Sequence, residues 1–165
     1  MKKKIILMLM LTLFSCDFDG VNQSFFTGEL GLNVKINERT FHNWEKNEEN
    51  EMNLNVYNYN ILETKKALYK DDYPKRVYHN ENTISTTWKK ASFSKNDKNL
   101  EIVSKYIYEE TKSKLEAQKM IGALNHEENL YTYSYLETTG KVTEIQLFVV
   151  DVTNLKLYVY EIFSH

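Results

Sequence analysis

LYTYSYLETTGKVTEIQLFVVDVTNLKLYVYEIF, residues 130–163, decides the fold. Three β-rich runs, 130–137, 141–150 and 155–163, are separated by two short turn signals. Thr139-Gly140 suits a two-residue hairpin loop, in which Gly supplies positive φ. Asp151 suits the first position of a type I turn, and Asn154 the left-handed position of a three-residue loop. The run therefore reads as a three-stranded antiparallel meander. The first turn sets Tyr135 opposite Glu144, Tyr133 opposite Gln146 and Tyr131 opposite Phe148. The second places Tyr158 and Tyr160 beside Phe148. One face then carries Leu130, Leu136, Ile145, Leu147, Val149, Leu157 and Val159. The other carries the tyrosines with Glu144 and Gln146.

A helix is expected upstream, capped by Asn96 or Asp97 and running to about Ile121. Its apolar stripe is Leu100, Val103 and Ile107, joined later by Leu115, Ile121 and Leu124. The aliphatic face of the meander should pack on it. Further upstream, Leu30–Ile36, Met52–Leu62 and Thr83–Trp88 read as strands. Phe41 and Trp44 share one face of a short helical turn, and Glu45–Glu51 is a charged loop. Glu63–Lys70 is a helical turn stopped by Asp71, Asp72 and Pro74. The fold class is α+β: an antiparallel sheet with the C-terminal meander and one principal helix packed on one face.

Length and composition agree with that reading. A chain of 165 residues, 42% hydrophobic with one proline, suits a single folded domain. The lone cysteine, Cys16, excludes an intrachain disulfide. Residues 1–15, MKKKIILMLMLTLFS, place three lysines before a short apolar run, as a secretory signal peptide does. That run is too short to span a bilayer, whose core needs about 20 helical residues. Without Lys2, Lys3 and Lys4 the chain keeps 18 basic residues against 23 acidic ones. A mildly acidic domain with no basic block argues against nucleic acid as a partner.

Leu13, Ser15 and Cys16 close the apolar run in a pattern that resembles the lipobox of bacterial lipoproteins. The resemblance covers residues 1–16 only. It implies cleavage before Cys16, a diacylglycerol group on its thiol, and acylation of the new amino terminus, palmitate chemistry in character. Two or more acyl chains hold a protein stably on a membrane where one does not. Residues 16–28 are then a lipidated cysteine and polar tether, and 29–165 the domain. Asp17 and Asp19 follow at once, and acidic residues there resemble the surface-export signal of Bacteroidetes lipoproteins. An aspartate after the cysteine favours inner-membrane retention in some proteobacterial members. The expected place is the cell envelope, with the outer membrane favoured over the inner.

The chemistry of an enzyme is not legible. His42, His79, His126 and His165 share no metal-ligand spacing, so neither a metal site nor a cofactor is expected. Glu109-Glu110 and Glu127-Glu128 are neighbours that would not face each other on a helix. No nucleophile elbow, P-loop or dinucleotide fingerprint occurs. One surface suggests binding: Tyr131, Tyr133, Tyr135, Phe148, Tyr158 and Tyr160, because tyrosine offers broad contact area with a polar tip. The commoner role for such rings is structural, as cross-strand pairs or beneath the N-terminal strands. The expected function is non-catalytic, an anchored domain that binds a protein or envelope component. The alternative is an immunity or inhibitor lipoprotein that neutralises a secreted toxin.

Overall fold

The computed structural model describes residues 26, 31, 35–60, 83–91, 114–138 and 141–164. Seven strands and one helix lie in this part of the chain: β1 (Ile36–Lys46), β2 (Asn50–Tyr59), β3 (Thr83–Ser85), β4 (Lys89–Lys90), α1 (Lys114–Leu124), β5 (Leu130–Thr138), β6 (Lys141–Asp151) and β7 (Lys156–Ser164). One sheet holds all the strands in the order β1-β2-β7-β6-β5-β3, with β4 also pairing β5, and each pairing is antiparallel. The architecture is an antiparallel sheet with one described helix.

β1 and β2 form a hairpin through 47–49, where the Asn47 side chain accepts the backbone N–H groups of Glu49 and Asn50 at 2.9 and 2.6 Å. Phe41 and Trp44, expected on a helical turn, lie in β1, and most of the expected loop 45–51 is strand. Pairing with β2 overrides the local signal. The expected turn over 63–70 and the expected helix as far as residue 113 lie outside the described residues, as does the Leu100, Val103 and Ile107 stripe.

The three C-terminal strands start and stop close to where the sequence places them, but their register differs. Thr138 pairs with Lys141, as a two-residue loop requires. Glu137 then pairs with Val142, whereas Leu136 pairs with Glu144, so Thr143 is an extra residue in β6. Its hydroxyl donates to the Leu136 carbonyl at 3.4 Å. This bulge moves the rest of β5 by one residue, and a one-residue slip turns every side chain to the other face. Tyr131, Tyr133 and Tyr135 thus lie opposite Val149, Leu147 and Ile145, not Phe148, Gln146 and Glu144.

The second turn carries the same kind of shift. Asp151 pairs with Lys156, which leaves four loop residues instead of three, and Leu155 rather than Asn154 takes the left-handed conformation at φ 56°. The Asp151 carboxylate accepts the N–H groups of Thr153 (3.1 Å) and Asn154 (2.9 Å), and the Asn154 amide at 2.8 Å. The longer loop sets Tyr158 against Val149 and Tyr160 against Leu147.

Two clusters make the core. On one face, Met52, Leu54, Val56, Ile145, Leu147, Val149, Tyr158, Tyr160 and Ile162 pack with Ala117, Met120, Ala123 and Leu124 of α1. The helix buries positions 117, 120 and 124, the i, i+3, i+7 stripe of an amphipathic helix, whereas Leu115, expected in that stripe, is 64% exposed. On the other face, Tyr59, Trp88, Leu130, Phe148, Val150, Leu157 and Val159 pack with Phe26 and Ile36.

Candidate functional site

The residues singled out from sequence do not form a surface. Tyr131, Tyr133, Tyr158, Tyr160 and Phe148 are each at most 3% exposed, and Tyr135 is partly buried. The tyrosines do come together, in the cluster beneath α1, while Phe148 lies on the opposite face. Both register shifts send the rings inward, so the expected exposed tyrosine face does not exist. Cys16 lies outside the described residues.

A cleft of about 640 Å³ opens instead where the C-terminal half of α1 meets the β6–β7 loop. Its walls are Glu116, Lys119, Gly122 and Ala123 of α1, Thr40 of β1, and Asp151, Thr153, Asn154, Lys156 and Tyr158 of the β6–β7 hairpin, with His126 and Asn129 between. Asn129 holds this corner together. Its buried carboxamide donates to the Ala123 carbonyl, satisfying one orphan of the helix C-terminus, and accepts from the Val152 N–H, both at 2.9 Å. Its backbone carbonyl accepts from Ala91 at 2.7 Å. From the other side the Tyr59 hydroxyl donates to the Asp151 carbonyl at 3.1 Å. Burial and the nearby Asp151 carboxylate raise the Tyr59 phenol well above its ordinary pKa. The start of the loop is thus held from both sides.

Within the cleft, Glu116 and Lys119 form an ion pair one helical turn apart. Lys156 donates to Thr40 Oγ1 at 3.4 Å and to Asn58 Oδ1. Tyr158 is buried, and burial, with Asp151 and then Glu116, pushes its phenol up to about 12. It remains a proton donor at any physiological pH. Among the described residues no three His, Cys, Asp or Glu side chains gather to hold a metal ion.

A second polar feature crosses the opposite face of the sheet. Trp44, Asn53, Glu161, Gln146, Ser134 and Ser85 are successive register partners on six neighbouring strands. Asn53 Nδ2 donates to Glu161 Oε2 at 3.1 Å, and Gln146 Nε2 donates to Glu161 Oε1 at 3.3 Å. Behind them, Asn55 Nδ2 donates to Asn53 Oδ1 at 3.0 Å, and the Ser134 hydroxyl to Gln146 Oε1 at 3.3 Å. His42 Nδ1 meets Asn55 Oδ1 at 2.9 Å, and because an amide oxygen only accepts, the imidazole must carry its proton there. These amide and hydroxyl donors point toward the Glu161 carboxylate from both sides. Burial and Glu144 raise its pKa, while the two amide hydrogen bonds oppose the rise.

Neither feature was read from the sequence. Asn53 and Glu161 are 108 residues apart, and periodicity says nothing about which strands neighbour each other. A signal was present in NEMNLNVYNY of β2. Asparagine is depleted in strands, so the pair Asn53 and Asn55, two residues apart on one face, marks a face with polar partners.

No family model matches the chain, no curated protein matches it, and no solved structure matches it.

Proposed function

We propose that the chain is a lipid-anchored lipoprotein of the bacterial cell envelope whose domain binds a protein or envelope component without transforming it. The observation that carries this reading is the N-terminal run ending in Leu13, Ser15 and Cys16, behind Lys2, Lys3 and Lys4. The domain behind the tether is an antiparallel sheet ending in the meander of 130–164, with the principal helix on one face. Binding rather than catalysis is supported by the cleft, whose carboxylates are engaged within the fold: Asp151 by three loop donors and Glu116 by Lys119. A base or nucleophile poised for chemistry would be free to meet a substrate. The outer membrane is the favoured site, from Asp17 and Asp19 after the cysteine.

Cys16→Ser tests the anchor. Cells fed a labelled palmitate analogue should label the natural chain and not the variant, and the variant should leave the detergent phase on partitioning. Equal labelling of both chains would sink the reading.

A further inference from the structure

We infer that the cleft between α1 and the β6–β7 loop is a binding site for a carboxylate, recognised by the Lys156 ammonium and the Tyr158 hydroxyl. These two residues sit at alternate positions of β7, on the same face and about 7 Å apart along the strand. Both line the cleft. Tyr158 is 3% exposed, yet its hydroxyl makes no hydrogen bond among the described residues. The ring is buried but the residue lines the cleft, so an acceptor for the hydroxyl, water or a ligand, comes from there.

Lys156 is the complementary group. Its two partners, Thr40 and Asn58, are neutral, and it makes no ion pair with any described carboxylate. Asp151 stands opposite it across the strands, but the Asp151 oxygens are taken by the N–H groups of the loop and the Asn154 amide. Glu38 accepts from the Asn58 amide rather than from Lys156, and Glu116 is neutralised by Lys119. Lys156 thus presents a positive charge whose hydrogen-bond partners are all neutral, on the same face of β7 as the Tyr158 phenol. Burial and two neighbouring carboxylates hold that phenol protonated, so it meets a ligand as a donor. Asp151 keeps its negative charge, because its partners are neutral donors, and so disfavours a multiply charged anion such as phosphate relative to a singly charged carboxylate. The space, about 640 Å³, exceeds a carboxylate alone and lies in the range of pockets for small organic molecules. A carboxylate reaches such a site on a small organic acid or at the C-terminus of a peptide.

The inference concerns the cleft and stands or falls independently of the lipid on Cys16. Calorimetric titration of the full-length chain in detergent, with butyrate, acetyl-trialanine, its C-terminal amide and inorganic phosphate, tests it. At least one carboxylate should bind, with the amide and phosphate about tenfold weaker or worse. Binding of butyrate and the peptide acid alike identifies a small acid as sufficient, and binding of the peptide acid alone identifies a peptide C-terminus. Lys156→Met and Tyr158→Phe should each weaken binding about tenfold or more, the effect of a charge-assisted hydrogen bond, and Lys156→Arg should retain it. Tyr158→Phe should melt with the natural chain, because its hydroxyl bonds to nothing among the described residues. Equal affinity for acid and amide, no heat from either carboxylate at millimolar concentration, or unchanged binding by both variants would overturn the assignment.

Discussion

The two faces of this sheet solve the same burial problem with different chemistry. Beneath α1 the face is mainly aliphatic and aromatic from β2 across to β5, with tyrosine rings among the hydrocarbon. The opposite face is apolar only at the end where Phe26 and Trp88 cover Leu130, Phe148 and Leu157. At its other end, side-chain amides and one carboxylate replace hydrocarbon. A dry face depends on volume and shape, and it tolerates a hydrophobic exchange of similar size. A polar row depends on count and direction, because each donor removed leaves an acceptor stranded. One strand, β6, serves both regimes with alternate residues: Leu147 inward to the helix, Gln146 into the row.

The difference predicts an order of mutational effects. The largest belongs to the dry face. Leu147→Ala, at a fully buried site facing Met120 and Leu124 across the cluster, should cost about 2–5 kcal/mol in chemical denaturation. A loss under about 1 kcal/mol would mean that the helix does not cover this position.

Glu161 comes next, and the choice of replacement matters more than its size. Glu161→Leu strands the amides of Asn53 and Gln146, which predicts a loss of about 1–3 kcal/mol for each. Glu161→Gln should stay within about 1 kcal/mol of the natural chain. Gln146 turns over to accept from the new amide, and the Ser134 hydroxyl reverses to follow it. Equal losses for the two variants would show that the row acts through packing alone.

The same residue gives a pH signature. Its folded pKa is raised, chiefly by burial, above the unfolded value. Between the two values the folded state holds the proton more often, so stability contributed by this group falls as pH rises through that window. The difference in unfolding free energy between the natural chain and Glu161→Gln should therefore grow as pH falls toward the ordinary glutamate range, and level off below it. A difference that shrinks on acidification would mean that the amide hydrogen bonds outweigh burial.

The smallest effect lies in the helix covering the dry face. Gly122 sits within α1, and a Cβ added there meets nothing within 4 Å. Gly122→Ala should gain about 0.5–1 kcal/mol from helix propensity. A loss of stability would place a neighbour against that position.

The strands at 130–137, 141–150 and 155–163 were legible because alternation and turn residues mark where a strand begins and ends. Their partners were not. Thr143 as an extra residue and Leu155 as the fourth loop residue leave no trace in a period of two, yet each turns a whole strand over. That is why Leu147 was read correctly as facing the helix while Tyr131, Tyr133, Tyr158 and Tyr160 were read as facing away. Trp44 shows a different limit. Local pattern suggested a helical turn, and only pairing with Asn53 makes it strand. The cleft and the polar row were illegible for a third reason, since each is assembled from β1 or β2 together with segments about a hundred residues later.

The position of β7 has a consequence for how the chain is made. It is the last of the described strands to leave the ribosome, yet it lies between β2 and β6 in the middle of the sheet. Until it arrives, the β1–β2 hairpin and the β6-β5-β3 group are separate half-sheets, each with an open inner edge. Pairing between β2 and β7 also closes a loop of about a hundred residues, and contacts of that separation form late. A chain caught in mid-synthesis is therefore held as two half-sheets, short of its native sheet, until its last described strand is made.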